Sequence, residues 1–236
     1  MSIRSSICHF VWIQDLPWPK TVNDTPMSDF DAFEKKMRAA GMGDAPVSVF
    51  KRNFEALQRN ENGMIPEQSI EPASGLPKSE SLTSGGKHAK LSEVVVIKLN
   101  GGLGTGMGLR GPKSLLIVRD GVNFLDLMVR QTLSLREKSG QKVRLLLMNS
   151  FSTSEDTLTH LQRYAAQSLA SANEVEMMQN MVPKIDAATM KPVDWPADPE
   201  QEWCPPGHGD LYPALVGSGW LDRLLNEGVK YAFVSN

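Results

Sequence analysis

Cysteine is scarce: Cys8 and Cys204 stand far apart in a chain of 236 residues. A chain of this length does not depend on disulfide stapling, so both read as structural thiols of a reducing compartment. The four histidines show neither an H-x-x-x-H pattern nor a Cys/His spacing, so no zinc site is indicated. Charge of one sign is also missing. Lys and Arg number 25 against 27 Asp and Glu, a net charge of -2, which argues against a nucleic-acid partner. No stretch approaches the roughly 20 apolar residues needed to span a bilayer. The run "CHFVWIQDLPWP" is broken by Asp15 and ends in prolines, a poor secretory signal. No internal repeat is visible. These absences place the expectation on a cytoplasmic protein with no membrane and no nucleic-acid partner.

What remains is the composition of an ordinary globular chain, 41% hydrophobic and 22% charged. Residues 1–90 read as an N-terminal helical region with a linker. "SDFDAFEKKMRAAGMG" offers Ser28 as a cap, Phe30, Phe33 and Met37 at helical spacing, and a stop at Gly41 or Gly43. "PVSVFKRNFEALQRNENG" starts a second helix at Pro46 with Val49, Phe50, Phe54 and Leu57 on one face. From Gly63 to Lys90 the chain is rich in Gly, Pro, Ser and Glu, and reads as a connector.

Residues 91–236 follow another regime. "EVVVIKL" and "KVRLLLMNS" are short, nearly continuous apolar runs, the signature of strands buried on both faces of a mostly parallel sheet. "SLLIVRD" and "VKYAFVSN" read as further strands. Between them, "NFLDLMVRQTLSLREKSG" reads as a helix ending on Gly140, and "STSEDTLTHLQRYAAQSLA" as one with a Ser/Thr cap and Glu155 and Asp156 in its first turn. "DLYPALVGSGWLDRLLNEG" reads as a single helix with Pro213 near its start. Strands alternating with helices predict an α/β fold with helices on both faces. The last strand ends at Asn236, where open α/β sheets place ligand-binding residues, so the chain is expected to be the front part of something longer.

The densest signal is "KLNGGLGTGMGLRGPKS", with glycines at 101, 102, 104, 106, 108 and 111 directly after the apolar run of residues 94–97. Glycine loses the most conformational entropy on folding, so such a cluster needs a steric or functional cause. Strand, glycine loop and lysine is the layout of a phosphate cradle. The P-loop spacing runs from Gly106 to Gly111, but Pro112 stands before Lys113 and Ser114, and a proline has no N–H and cannot continue directly into a helix. A G-x-G-x-x-G match at Gly106, Gly108 and Gly111 begins too far from the strand to be a dinucleotide site.

The whole stretch from about Val94 to Asn236 resembles the eukaryotic-type UTP–glucose-1-phosphate uridylyltransferases. "LNGGLGTGMGLRGPKSLL" is similar to their signature loop, and "NFLDLMVRQ", "LLLMNSFSTSEDT", "MQNMVPK", "PPGHGDLYPAL" and "YAFVSN" follow in the family's order. The resemblance implies a Rossmann-like nucleotide-diphosphosugar transferase sheet. It also implies an activity: UTP and glucose 1-phosphate give UDP-glucose and pyrophosphate, with Mg2+ as cofactor. This chain would carry the UTP-binding half. Phosphoryl chemistry of this kind asks for positioning and charge neutralisation rather than covalent catalysis.

By the same resemblance, Leu99, Asn100, Gly101, Gly102, Gly104, Thr105, Gly106 and Gly108 would hold base and phosphates, and Lys113 would be the catalytic cation. Gln179 would read the uracil, since an amide carries both a donor and an acceptor. Gly207 would lie against the nucleotide, and His208 near the phosphates or the sugar. Asn236 matches the asparagine of the family's S-N-x-D-N motif, and the aspartate of that motif lies beyond the sequence. No metal ligand is assigned. Arg110 reads as a surface arginine, Lys184 receives no direct role, and Asp210 reads as a helix-start residue. Two alternatives stay open: a UDP-N-acetylhexosamine or broad UDP-sugar pyrophosphorylase, and a truncated non-catalytic nucleotide-binding protein. Against the first, such relatives carry arginine after the G-T of the loop, where this chain has Gly106.

Overall fold

A computed structural model describes residues 30–81, 90–104, 107–109 and 111–235. Two helices come first, α1 (Asp31–Ala39) and α2 (Asp44–Gln58). The expected Ser28 cap lies outside the described residues. The second helix starts two residues before Pro46 and buries Val47, Phe50 and Phe54, while Leu57 is exposed, which corrects the expected face by part of a turn. Phe33 and Met37 of α1 are fully buried against them. The Phe33 and Phe54 rings meet with centroids 4.8 Å apart, within the range where aromatic pairs add to area burial. Among its described residues the connector holds short 3-10 turns at Glu67–Ser69 and Ser79–Ser81.

The main sheet has four parallel strands: β1 (Val94–Asn100), β4 (Arg144–Asn149), β5 (Glu176–Met178) and β8 (Tyr231–Ser235), in the order β5-β4-β1-β8. Its register pairs Val95 to Asn100 with Arg144 to Asn149, and Val94 to Lys98 with Tyr231 to Ser235. The chain therefore adds strands outward on one side of β1 and then returns to its other side. Such a reversal of strand order opens a crevice at the carboxyl ends of the strands, where ligands bind.

Both faces of the sheet are covered over β1 and β4, as their apolar runs predict, while the edge strand β8 is exposed. On one side Val95, Ile97, Leu146, Met148 and Met177 pack with α6 (Leu211–Gly217) and α7 (Trp220–Asn226) through Leu211, Ala214, Trp220 and Leu224. On the other, Leu145 and Leu147 pack with α3 (Phe124–Ser139) and α4 (Ser154–Leu161) through Leu125, Val129 and Leu161. Each such fully buried aliphatic side chain contributes about 1.5–3 kcal/mol. Helix α3 has well-formed ends. Asn123 and Asp126 exchange the two bonds of a capping box, and Gly140 closes the helix in the left-handed conformation.

Three expected elements differ. The single helix over residues 210–228 is two, because Gly219 turns left-handed at φ +76 between α6 and α7. "SLLIVRD" does not enter the sheet. Lys113–Leu115 form a 3-10 turn, and β2 (Ile117–Arg119) pairs antiparallel with β3 (Val122–Asn123) as an exposed ribbon. Helix α4 stops at Leu161 and continues as a 3-10 segment to Gln167, with Tyr164 out of helical geometry, and Thr153 does not cap it. A short helix, α5 (Ala172–Val175), then leads into β5. An antiparallel pair, β6 (Val182–Pro183) and β7 (Trp203–Cys204), projects beyond β5. The Phe33–Phe54 cluster packs on this projection through Val182, Ile185, Met190 and Trp203.

Candidate nucleotide site

At the carboxyl ends of β1, β4 and β5, a pocket of about 270 Å³ is lined by Gly101, Gly102, Ser150, Gln179, Gly207 and His208, among others. Four chain segments meet there, three of them strand exits.

The first wall is the glycine loop. After β1 it folds back on itself. Gly104 N donates to Gly111 O at 3.2 Å, and Lys113 N donates to Gly102 O at 3.2 Å. Leu103 and Pro112 face each other between these bonds as an antiparallel bridge. The return strand thus brings Lys113 alongside Gly102, whose Cβ, were there one, would stand 3.9 Å from the lysine Cδ. Lys113 is exposed, and among the described residues no acid pairs with it. Gly104 is sterically obligatory, since an added Cβ would fall 2.4 Å from Leu109 Cδ1. Gly108 adopts φ +73, a conformation side chains other than glycine rarely take. Thr105, Gly106 and Arg110 lie outside the described residues, as does Asn236.

The opposite wall is Gln179. Its backbone N–H extends the sheet by donating to Asn149 O at 2.7 Å. Its side-chain Nε2 donates to Gly207 O at 2.7 Å, and its Oε1 presses on Gly101, 2.5 Å from where a Cβ would be. The side chain is buried and bridges the glycine loop and the Gly207 turn across the floor of the pocket. Gly207 itself sits at φ +94, ψ -178, open to glycine alone in practice. His208 begins a 3-10 turn and is exposed at the rim.

Other expected residues stand behind these walls. Asn100 is buried and donates through Nδ2 to Asn149 Oδ1 at 2.7 Å and Thr157 Oγ1 at 3.0 Å, so its side chain ties the strand exits together. Leu99 packs on the core beneath the loop. Sequence reasoning did not single out Ser150, whose hydroxyl donates to Gly101 O at 2.8 Å and fixes the loop's first turn. Its signal, a polar residue one step past an apolar strand, is common and weak. Asp210 does not cap α6. Its carboxylate turns instead to Asn180, and burial raises its pKa above the ordinary carboxylate value against the lowering effect of those bonds. Cys204 is half-buried and burial pushes its thiol pKa up, in keeping with a structural thiol.

Among the described residues there is no group of three or more His, Cys, Asp or Glu side chains that could hold a metal ion. The Asp156 carboxylate stands by the loop, 3.2 Å from a Cβ built on Gly111. One acid does not make a protein cage for Mg2+, which needs oxygen ligands on several sides.

The geometry has counterparts. The family model for UTP–glucose-1-phosphate uridylyltransferase matches residues 47–236. The chain belongs to the UTP–glucose-1-phosphate uridylyltransferase family. It is 45% identical over 147 residues to the UTP–glucose-1-phosphate uridylyltransferase of Solanum tuberosum, covering 62% of this chain and 30% of that protein. A probable enzyme of the same name from Schizosaccharomyces pombe is 42% identical over 215 residues, 87% of this chain and 39% of the other. Among solved structures, an L281D mutant of UDP-glucose pyrophosphorylase from Leishmania major, in complex with UDP-glucose, superposes with a TM-score of 0.83 at 43% identity, over 90% of this chain and 44% of that one. A UDP-glucose phosphorylase from Trypanosoma brucei gives 0.79 at 45% identity, over 87% of this chain and 44% of that one. The chain thus spans about 30 to 44% of the length of the uridylyltransferase relatives it matches. No helix among its described residues is long and apolar enough to cross a membrane.

Proposed function

We propose that this chain carries the UTP-binding half of a cytoplasmic uridylyltransferase that makes UDP-glucose and pyrophosphate from UTP and glucose 1-phosphate. The reading rests on one observation: the folded-back loop sets Lys113 beside Gly102 at the exit of β1, and Gly102 lines a pocket whose far wall is the buried amide of Gln179. Glycines on the near wall let a triphosphate approach the main chain without side chains in the way. On the far wall, an amide held by Gly207 can accept from the N3–H of uracil, where cytosine offers only an acceptor.

In the reaction, an oxygen of glucose 1-phosphate attacks the α-phosphorus of UTP. The bond from that phosphorus to the bridging oxygen breaks, and the electron pair leaves with pyrophosphate. Negative charge gathers where the phosphates lie, and a lysine with no acid partner among the described residues is available to offset it. Mg2+ belongs to this proposal as a companion of the triphosphate, held by phosphate oxygens and water, and no step is assigned to it. Glucose is favoured over other sugars by the names of the relatives at 42–45% identity.

Titration of the chain with UTP tests the reading. The unsubstituted chain is expected to bind UTP, and Lys113→Ala to weaken that binding by about tenfold or more, the scale of one charge-assisted contact. Because Lys113 is exposed and unpaired among the described residues, its loss should leave the melting temperature unchanged. Equal affinity in both proteins would refute the proposal.

A further inference from the structure

We propose that Asp210 and Asn180 form a latch that holds the amide of Gln179 in one orientation, making Asp210 a positioning residue for the choice of base. The inference rests on the uridine-nucleotide reading of the pocket. Asn180 N donates to Asp210 Oδ2 at 2.6 Å, and Asn180 Nδ2 donates to Oδ1 at 3.0 Å and Oδ2 at 3.1 Å. A carboxylate is the acceptor-only group that can take all of these donors at once. Asp210 N in turn donates to Gly207 O at 3.1 Å, closing the 3-10 turn. That same Gly207 carbonyl receives Gln179 Nε2.

The contacts form a closed ring. It runs from Gln179 along the chain to Asn180, across to Asp210, through the turn to Gly207, and back to the head of Gln179. Two loops nearly thirty residues apart (|i−j| of 28 and 30) are fixed to each other at the place where the base would be read. A capping role does not account for the carboxylate, since Asp210 makes no side-chain bond to the start of α6. Nor is the carboxylate on the surface: Asp210 is buried, and its bonds to Asn180 offset part of the cost of keeping it there.

The function of the ring follows from the chemistry of an amide. A glutamine head turned by 180° exchanges donor and acceptor, and would donate to N3 of cytosine as readily as the unturned head accepts from N3–H of uracil. While Gly207 O holds Nε2, Oε1 must face the other way. Loosening the Gly207 turn frees the head to turn. Loss of the latch therefore erodes the preference for UTP over CTP more than it erodes nucleotide affinity as a whole.

The test is titration of the 236-residue chain with UTP and with CTP, beside melting curves. In Asp210→Asn the preference for UTP is expected to fall by about tenfold, equivalent to about 1.4 kcal/mol. In the double variant D210N/N180D it should return. There the amide introduced at position 210 still accepts from the backbone N–H of residue 180 and now donates to the new carboxylate, so the ring is rebuilt with the polarity of one contact reversed. A role confined to stability would shift the melting temperature and leave the UTP-to-CTP ratio alone. Asn180→Ala, which keeps the backbone bond, serves if Asp210→Asn does not fold, and should also lower the ratio. An unchanged ratio in the folded single variants, or a double variant that stays unselective, overturns the latch. Absence of UTP preference in the unsubstituted chain would instead sink the functional reading beneath it, and the two failures are told apart by that first titration.

Discussion

Replacing Gly101 by alanine should damage the pocket through a residue that makes no side-chain contact of its own. A Cβ at this position lies 2.5 Å from Gln179 Oε1, where ordinary van der Waals contact begins near 3.4 Å, an overlap of about 0.9 Å. Gly101 is not in a left-handed conformation, so the backbone itself tolerates alanine. The strain falls wholly on Gln179. That side chain is buried, and its Nε2 is bonded to Gly207 O. Moving it breaks a bond worth about 0.5–1.5 kcal/mol net, and overpacking a dense site costs about 1–3 kcal/mol. Against this, alanine stiffens the unfolded chain and returns about 0.4–1 kcal/mol. Stability should therefore fall by about 0.5–4 kcal/mol, at about 2–4 °C of melting temperature per kcal/mol for a chain of this size. UTP affinity should fall by about tenfold or more, because the displaced group is the one that meets the base. Gly102→Ala is the control: its Cβ would rest 3.9 Å from Lys113 Cδ, ordinary contact, so its melting temperature should equal or slightly exceed the parent's. Titration calorimetry and thermal melts on the three proteins decide it. Undiminished UTP binding in Gly101→Ala would refute the reasoning.

Two further predictions follow from other parts of the chain. Lys36 of α1 donates to Glu202 and to Val193 O at 2.7 Å, and with the N–H of Trp195 it holds the Glu202 carboxyl below its ordinary value of 4.5. A depressed carboxyl gives stability that is complete above its unfolded value and lost as the pH falls through the folded one. The gap in melting temperature between the parent and Glu202→Gln should be constant above about pH 5 and close at lower pH, and a gap equal at all pH values would contradict the pairing. Since the chain spans under half the length of its relatives, mixing it with UTP and glucose 1-phosphate should release little or no pyrophosphate. A coupled phosphate assay checks this, and robust release would refute it.

The parts of the fold legible in the sequence are those specified locally. β1 and β4 are near-continuous aliphatic runs, and the ends of α3 are written as Asn123 with Asp126 at one end and Gly140 at the other. Elements decided by distant contacts were not legible. Residues 115–118 are as apolar as a core strand, yet β2 pairs with its neighbour β3 and lies on the surface. The apolar period runs on through Gly219, but its left-handed turn divides α6 from α7. Within the site, the glycine loop and Lys113 are visible because glycine frees the chain and proline fixes it wherever they occur. Gln179 was visible as a residue type, but its burial and its bond to Gly207 depend on two segments far apart in sequence. Asp210 was misread for the same reason: one step before a helix its residue type suggests a cap, and its partner Asn180 sits in another loop.

Pro112 marks the difference between this loop and a P-loop, and its place in the bridge explains why it is tolerated. In an antiparallel bridge, residues facing each other either exchange both hydrogen bonds or none. Leu103 and Pro112 are of the second kind, because the flanking bonds run from Gly104 N to Gly111 O and from Lys113 N to Gly102 O. The missing N–H of proline leaves no acceptor unserved. Its ring fixes φ at -58 with ψ at 134, an extended conformation that carries the bridge up to the 3-10 turn of Lys113–Leu115 and not into an α-helix. The lysine thus stands where a return strand meets a single 3-10 turn, not on the first turn of an α-helix, and its position beside Gly102 depends on two main-chain bonds. Pro112→Ala keeps both bonds and adds freedom to the unfolded chain, so it should cost only about 0.4–1 kcal/mol of stability. UTP affinity should stay within about threefold, well short of the tenfold that 1.4 kcal/mol carries. If Pro112→Ala weakened binding by the tenfold or more expected of Lys113→Ala, the return strand would not be what places the lysine.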